Sequence, residues 1–100
     1  MESAYVNALN RELELRNVLV GIQVPVELVY KECFLGKVYV IDMLIENEII
    51  LEIKAVNSME PVFMAQLITY LKLADKKLGY LINFNVSLLK DGFRRIVNKF

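Results

Sequence analysis

Histidine and tryptophan are absent from this 100-residue chain, and cysteine occurs once, at position 33. Without histidine, the Ser-His-Asp and Cys-His nucleophile arrangements and His-ligated zinc are unavailable. A single thiol closes no internal disulfide and builds no CxxC metal clasp, and it points to a reducing compartment. Acid–base chemistry is left to carboxylates, lysine and tyrosine. Only 4 Gly and 2 Pro interrupt the chain, and no linker, internal repeat or low-complexity segment stands out. No apolar run approaches the length of a membrane span, and the Met-Glu-Ser start lacks the basic flank and apolar stretch of a signal peptide. The expected address is the cytoplasm.

What is present is material for a core. Hydrophobic residues make up 56% of the chain and charged ones 24%, so one domain over residues 1–100 is expected, burying roughly 60–65% of the unfolded surface. Lys+Arg and Asp+Glu balance at 12 each, which argues against a strongly basic nucleic-acid coat. The balance hides a division. Residues 1–71 carry five basic and ten acidic side chains (net −5), whereas residues 72–100 carry seven and two (net +5). A polyanion is therefore expected to meet Lys72, Lys90, Arg94, Arg95 and Lys99.

Periodicity supplies the element order. From Glu2 to Asn17, Tyr5, Ala8, Leu9 and Leu13 recur at helical spacing. Val20 to Tyr30 is largely β-branched and alternating, with Pro25 marking an edge or a bulge. A turn around Cys33 to Lys37 is expected, then strands Val38–Ile45 and Ile49–Val56 joined in a hairpin by the polar Glu46-Asn47-Glu48. Ser58, Glu60 and Pro61 open a helix running to about Ala74. Leu78–Phe84 reads as strand, 88–92 as a turn or single helical turn, and Phe93–Val97 as a last short strand. The order α-β-β-β-α-β with a short tail implies a mixed α/β fold whose sheet has helices on both faces.

The third strand carries the polar signal. Ile49, Leu51, Ile53 and Ala55 share one face, leaving Glu52 and Lys54 with Ile50 and Val56 on the other. A hairpin centred on Asn47 pairs positions whose numbers sum to 94, which sets Asp42 opposite Glu52. Opposed carboxylates in an antiparallel pair have Cβ atoms roughly 4.5–5.5 Å apart and repel unless compensated. A divalent cation would compensate, and hard oxygen ligands suit Mg²⁺ or Mn²⁺. Equally, Lys54 alone would neutralise the pair at a partly solvated sheet edge. Gln66 and Tyr70, four apart on the following helix, face one side and can look toward that same edge.

These residues carry a resemblance. Asp42, nine residues, then Glu52-Ile53-Lys54 resembles the D…(D/E)xK signature of the PD-(D/E)XK nuclease superfamily, and Gln66 with Tyr70 resembles the QxxxY element of its RecB-like branch. The small bacterial GxxExxY family within it is closer still. Its blocks are matched by Glu2-Ser3-Ala4-Tyr5, by Ile41 to Glu46, by Leu51-Glu52-Ile53-Lys54-Ala55-Val56, by Ala65 to Leu73, and by Ile82-Asn83-Phe84-Asn85 with Leu88 to Asn98. The resemblance spans essentially the whole chain. It implies a restriction-endonuclease-like core, metal ligation by Asp42 and Glu52, help from Glu2 on the first helix, and Lys54 orienting water or stabilising transition-state charge. Gln66 and Tyr70 would support the site or touch substrate. The Gly that opens the family motif and the helix before it have no counterpart, so Glu2 is expected on a fraying helix end. Ile41 stands where the formal motif has proline.

The leading expectation is a Mg²⁺- or Mn²⁺-dependent nuclease hydrolysing DNA rather than RNA. The alternatives are a non-catalytic nuclease-fold module binding nucleic acid or a protein partner, and a structural oligomerisation module, such as a homodimer, built on surplus apolar surface.

Overall fold

The computed structural model describes residues 2–86 and 89–98; for Tyr30, Lys37, Val38, Leu89 and Lys90 it describes the backbone alone. The amphipathic first segment forms α1, Glu2–Leu15. It stops two residues short of the expected end because Asn17 adopts a left-handed φ of 60°. Val18 N–H then returns to the Leu13 carbonyl at 3.0 Å, closing the helix as a left-handed C-terminal residue does.

Of the next two strands the first has the expected span and the second starts earlier than expected. β1 runs Val20–Tyr30 and β2 runs Cys33–Ile45, so residues 33–37, expected to be a turn, begin a strand. The turn is instead the two-residue Lys31-Glu32, both at positive φ (49° and 65°). A two-residue hairpin loop with both φ positive matches strand twist, normally through Asn-Gly or Asp-Gly. Lys-Glu carries no such signal. β3 is Ile49–Lys54, α2 is Pro61–Ala74, β4 is Leu78–Asn83 and β5 is Phe93–Val97, preceded by a 3₁₀ turn at Leu89–Gly92. Pro61 occupies the first turn of α2, after Glu60, which makes no side-chain cap.

The five strands lie in chain order, β1-β2-β3-β4-β5. All pairs are antiparallel except β3–β4, whose parallel register requires the α2 crossover. As Pro25 implied, β1 is an edge. Both faces of the sheet are covered. Val6 of α1 packs with Met43, Ile45, Leu51, Ile53 and Ile82, whereas Leu67, Tyr70 and Leu71 of α2 pack with Ile41, Ile50 and Leu81. This mixed sheet between helices is the expected fold class. Gly79 lets α2 lie close, since a Cβ there would stand 2.9 Å from Leu67 Cδ1.

Ile41 and Met43 lie two apart on β2 yet pack on opposite faces of the sheet. The side-chain alternation therefore slips by one at Asp42. Directly across, between the pairs Ile22↔Met43 and Val24↔Ile41, Gln23 takes a φ of 55°. The two strands kink together, and the kink sets the site.

Candidate active site

Between β2 and β3 the ladder pairs Ile45↔Ile49, Leu44↔Ile50 and Met43↔Leu51, the register the hairpin rule gives. Its continuation brings Asp42 to Glu52, but here side chains replace the ladder. Asp42 N–H donates to Glu52 Oε1 at 3.2 Å, and Ile53 N–H donates to Asp42 Oδ2 at 2.8 Å. Each carboxyl is thus anchored by the backbone of the opposite strand. The kink places Asp42 in the opening between strands, where its side chain lines the α1 side, rather than squarely on the face of Glu52 and Lys54.

Glu52 is only 4% exposed. Burial, reinforced by the neighbouring Asp42 carboxylate, pushes its pKa from 4.5 to about 8. Contact with the Asp42 side chain adds to the rise. A buried and a half-buried hard-oxygen group set this close together fit a small divalent ion such as Mg²⁺ or Mn²⁺. Glu2 does not complete a trio: its Oε2 accepts from Ala55 N–H at 3.3 Å. Among the described residues, no three His, Cys, Asp or Glu side chains converge at metal-holding distance.

Lys54 does not pair with the acids either. Its Nζ lies 4.8 Å from the centroid of the Phe63 ring of α2, and its charge offsets the rise at Glu52 only in part. Plain neutralisation of Asp42 and Glu52 by Lys54 is therefore not what the geometry shows. Its backbone is fixed by Phe84 N–H, which donates to the Lys54 carbonyl at 2.9 Å. Just beyond, the buried Asn83 side chain pairs with both the N–H and C=O of Val56 (3.1 and 2.9 Å), prolonging β3–β4 by one imitation rung. Asn83 is a site-shaping residue that periodicity had assigned simply to a strand. Gly92 abuts it so closely that a Cβ there would fall 2.2 Å from the Asn83 carbonyl oxygen.

Helix α2 delivers the other polar pair. Tyr70 is 5% exposed, and the exposed Gln66 one turn earlier hydrogen-bonds its hydroxyl side chain to side chain. Burial raises the Tyr70 pKa, and the charges of Glu52 and Asp42 raise it further, which sets the phenol among the acids. Tyr5 of α1 stacks on Phe84 with centroids 4.6 Å apart and planes 5° from parallel, holding the Glu2 end of that helix against the strand ends. Two hollows open here. One of about 380 Å³ lies on the α1 side, lined by Glu2, Val6, Gln23 and Asp42. The other, about 540 Å³, lies on the α2 side, lined by Lys54, Gln66 and Tyr70 together with Tyr39 and Phe63.

Two of the basic residues expected to share one side do not. Arg94 and Arg95 are consecutive in β5 and so leave opposite faces of the sheet. Arg94 shares the α2 face with Ile96, and Arg95 shares the α1 face with its cross-strand partner Tyr80. Lys72 is exposed on α2, while Lys99 and the side chain of Lys90 lie outside the described residues.

A family model described as the PD-(D/E)XK nuclease superfamily matches residues 1–96. The chain belongs to that superfamily. A crystal structure of SSO0001 matches 98% of the chain with a TM-score of 0.67 at 22% identity, a likeness of fold alone. The chain spans half the length of that protein. No curated protein matches the chain. Membership of the superfamily accounts for a nuclease-like fold, and Asp42 and Glu52 meet in it where two strands part.

Proposed function

We propose that residues 1–100 form one domain of the GxxExxY type that hydrolyses phosphodiester bonds of DNA with Mg²⁺ or Mn²⁺, in the cytoplasm. The observation that carries this reading is the reciprocal anchoring of Asp42 and Glu52 on each other's strands, with Lys54 next in line. Asp42 and Glu52 would hold the ion, which when bound supplies Lewis-acid polarisation of the phosphate and a more acidic water. The chain's own residues do the remainder. The opposite-strand N–H groups fix the carboxyls before any ligand arrives, which lowers the reorganisation needed during the reaction. Lys54, two residues beyond Glu52 on β3 and held over Phe63, supplies positive charge where the phosphate would gather negative charge. Gln66 fixes the Tyr70 hydroxyl beside them. Glu2 trades its Ala55 contact for the ion only if α1 shifts. Among the described residues no helix is long and apolar enough to cross a membrane.

Calorimetric titration with Mg²⁺ and Mn²⁺, followed by oligonucleotide cleavage, tests the proposal. Metal binding and cleavage are expected to disappear together in Asp42→Ala and in Glu52→Ala. Lys54→Ala should retain or tighten metal binding while slowing cleavage, because its charge acts on the reacting phosphate and repels the ion. Cleavage that survives both acid substitutions would overturn the reading. A non-catalytic nucleic-acid-binding module is the second reading, and the engagement of Glu2 by Ala55 favours it. Gel shift in chelator with no cleavage in metal would select it. The oligomerisation reading draws on Val29, Phe34 and Leu35, each about half exposed at the β1–β2 hairpin tip (51%, 50% and 50%).

A further inference from the structure

The hollow on the α2 side is larger than an ion and one phosphate oxygen require. At about 540 Å³ it falls within the roughly 300–1,000 Å³ span of small-molecule sites. It begins at Lys54 and is walled by Tyr39 of β2 and by Phe63, Gln66, Thr69 and Tyr70 of α2. Three aromatic rings in so small a lining are unusual for a place that only admits a charged backbone. Tyr70 is held in the core, its ring 5.6 Å from that of Tyr39 and tilted by 56°. Tyr39 and Phe63 keep part of their surface free, and Gln66 and Thr69 are exposed. Gln66 offers both a donor and an acceptor, and Thr69 a hydroxyl.

We infer that this hollow is a subsite for one unstacked nucleobase, which stacks on Tyr39 or Phe63 and meets Gln66 with its polar edge, next to the phosphate that Lys54 receives. This rests on the nuclease reading for the position of the phosphate. An apolar ring face with a single convergent amide suits a flat heteroaromatic better than a peptide side chain or a lipid. The recess admits a base only after it leaves a duplex stack, so strands with unpaired nucleotides are the expected substrates. Alanine at such stacking positions costs single-strand binding roughly one to three kcal/mol, on the order of tenfold or more.

The test uses single-stranded DNA carrying 2-aminopurine, the same strand as a blunt duplex, and a single-stranded RNA of the same sequence, all in chelator. Single-stranded DNA should bind with quenched 2-aminopurine fluorescence, and the duplex should show no quenching. Alanine at whichever of Tyr39 and Phe63 carries the base should weaken single-strand binding about tenfold and abolish most of the quench, while Tyr39→Phe keeps both. Gln66→Ala, at an exposed position that leaves the fold intact, should retain stacking but lose discrimination among bases. Equal quenching of single strand and duplex, or wild-type quenching in both the Tyr39→Ala and the Phe63→Ala proteins, would overturn the subsite. RNA that quenches as DNA does would keep the subsite and show that it reads the base rather than the sugar. Failure of the nuclease reading is separately visible: quenching without cleavage in Mg²⁺ or Mn²⁺ removes the chemistry and leaves the subsite, whereas Asp42-dependent cleavage without quenching does the reverse.

Discussion

The β2–β3 hairpin has two ends that obey different rules. Near its turn, three consecutive backbone pairs are made and the side chains between them, Met43, Ile45, Ile50 and Leu51, are buried and apolar. At the other end the ladder stops, and Asp42 and Glu52 take over its hydrogen bonds with their carboxyls. The first end derives its strength from packing, the second from polar groups that must be satisfied where water is scarce. One hairpin thus carries the part of the protein that is hardest to disturb beside the part held under electrostatic tension.

Substitutions should separate the two ends. The largest effect is expected at the polar end and on function: Asp42→Asn should cut cleavage by about a thousandfold, with the urea midpoint moving far less than the activity. At the packed end the loss falls on stability instead. Ile50→Ala, at a fully buried position under α2, should destabilise by about 2–5 kcal/mol in urea unfolding.

A pH titration of the metal-free protein probes the tension directly. The folded state keeps the Glu52 proton up to a pKa of about 8, whereas the unfolded chain releases it near 4.5. The stability linked to this group is complete below 4.5 and is lost as pH rises through 8, at roughly 1.4 kcal/mol per pH unit within that window. Glu52→Gln, which stays neutral, should flatten that slope. An unfolding series that grows more stable from pH 5 to 8 would contradict the assignment. The smallest effect is expected from the scattered basic residues. Arg94→Ala and Arg95→Ala, leaving opposite faces, should not act as one patch: only one of them should lower the log–log salt slope of DNA binding, by about one.

Much of this contrast was legible in the sequence. Alternation and the polar Glu46-Asn47-Glu48 break give the hairpin register, and with it the meeting of Asp42 and Glu52. The apolar faces of β3 announce two covering helices. The slip at Asp42 was not legible, because period-two reasoning assumes an uninterrupted pleat and neither Gln23 nor Asp42 is a residue that advertises a kink. Lys31-Glu32 concealed the hairpin turn for a similar reason. Tyr39 and Asn83 read as ordinary strand residues, since what distinguishes them is a neighbour across the fold. Charge counting along the chain suggested one basic side for Arg94 and Arg95, yet adjacent strand positions divide between two surfaces.

β1 also bears on how copies of this protein behave in crowded solution. An outermost strand of 11 residues would ordinarily invite a neighbouring molecule to extend the sheet. Here Pro25 has no amide hydrogen to offer, Gln23 turns the chain out of its pleat, and the pairing shifts again between Glu27 and Val29. These irregularities leave no continuous row of donors for another chain to zip onto. The same bend that opens the acids to a ligand therefore also helps to guard the molecule against aggregation.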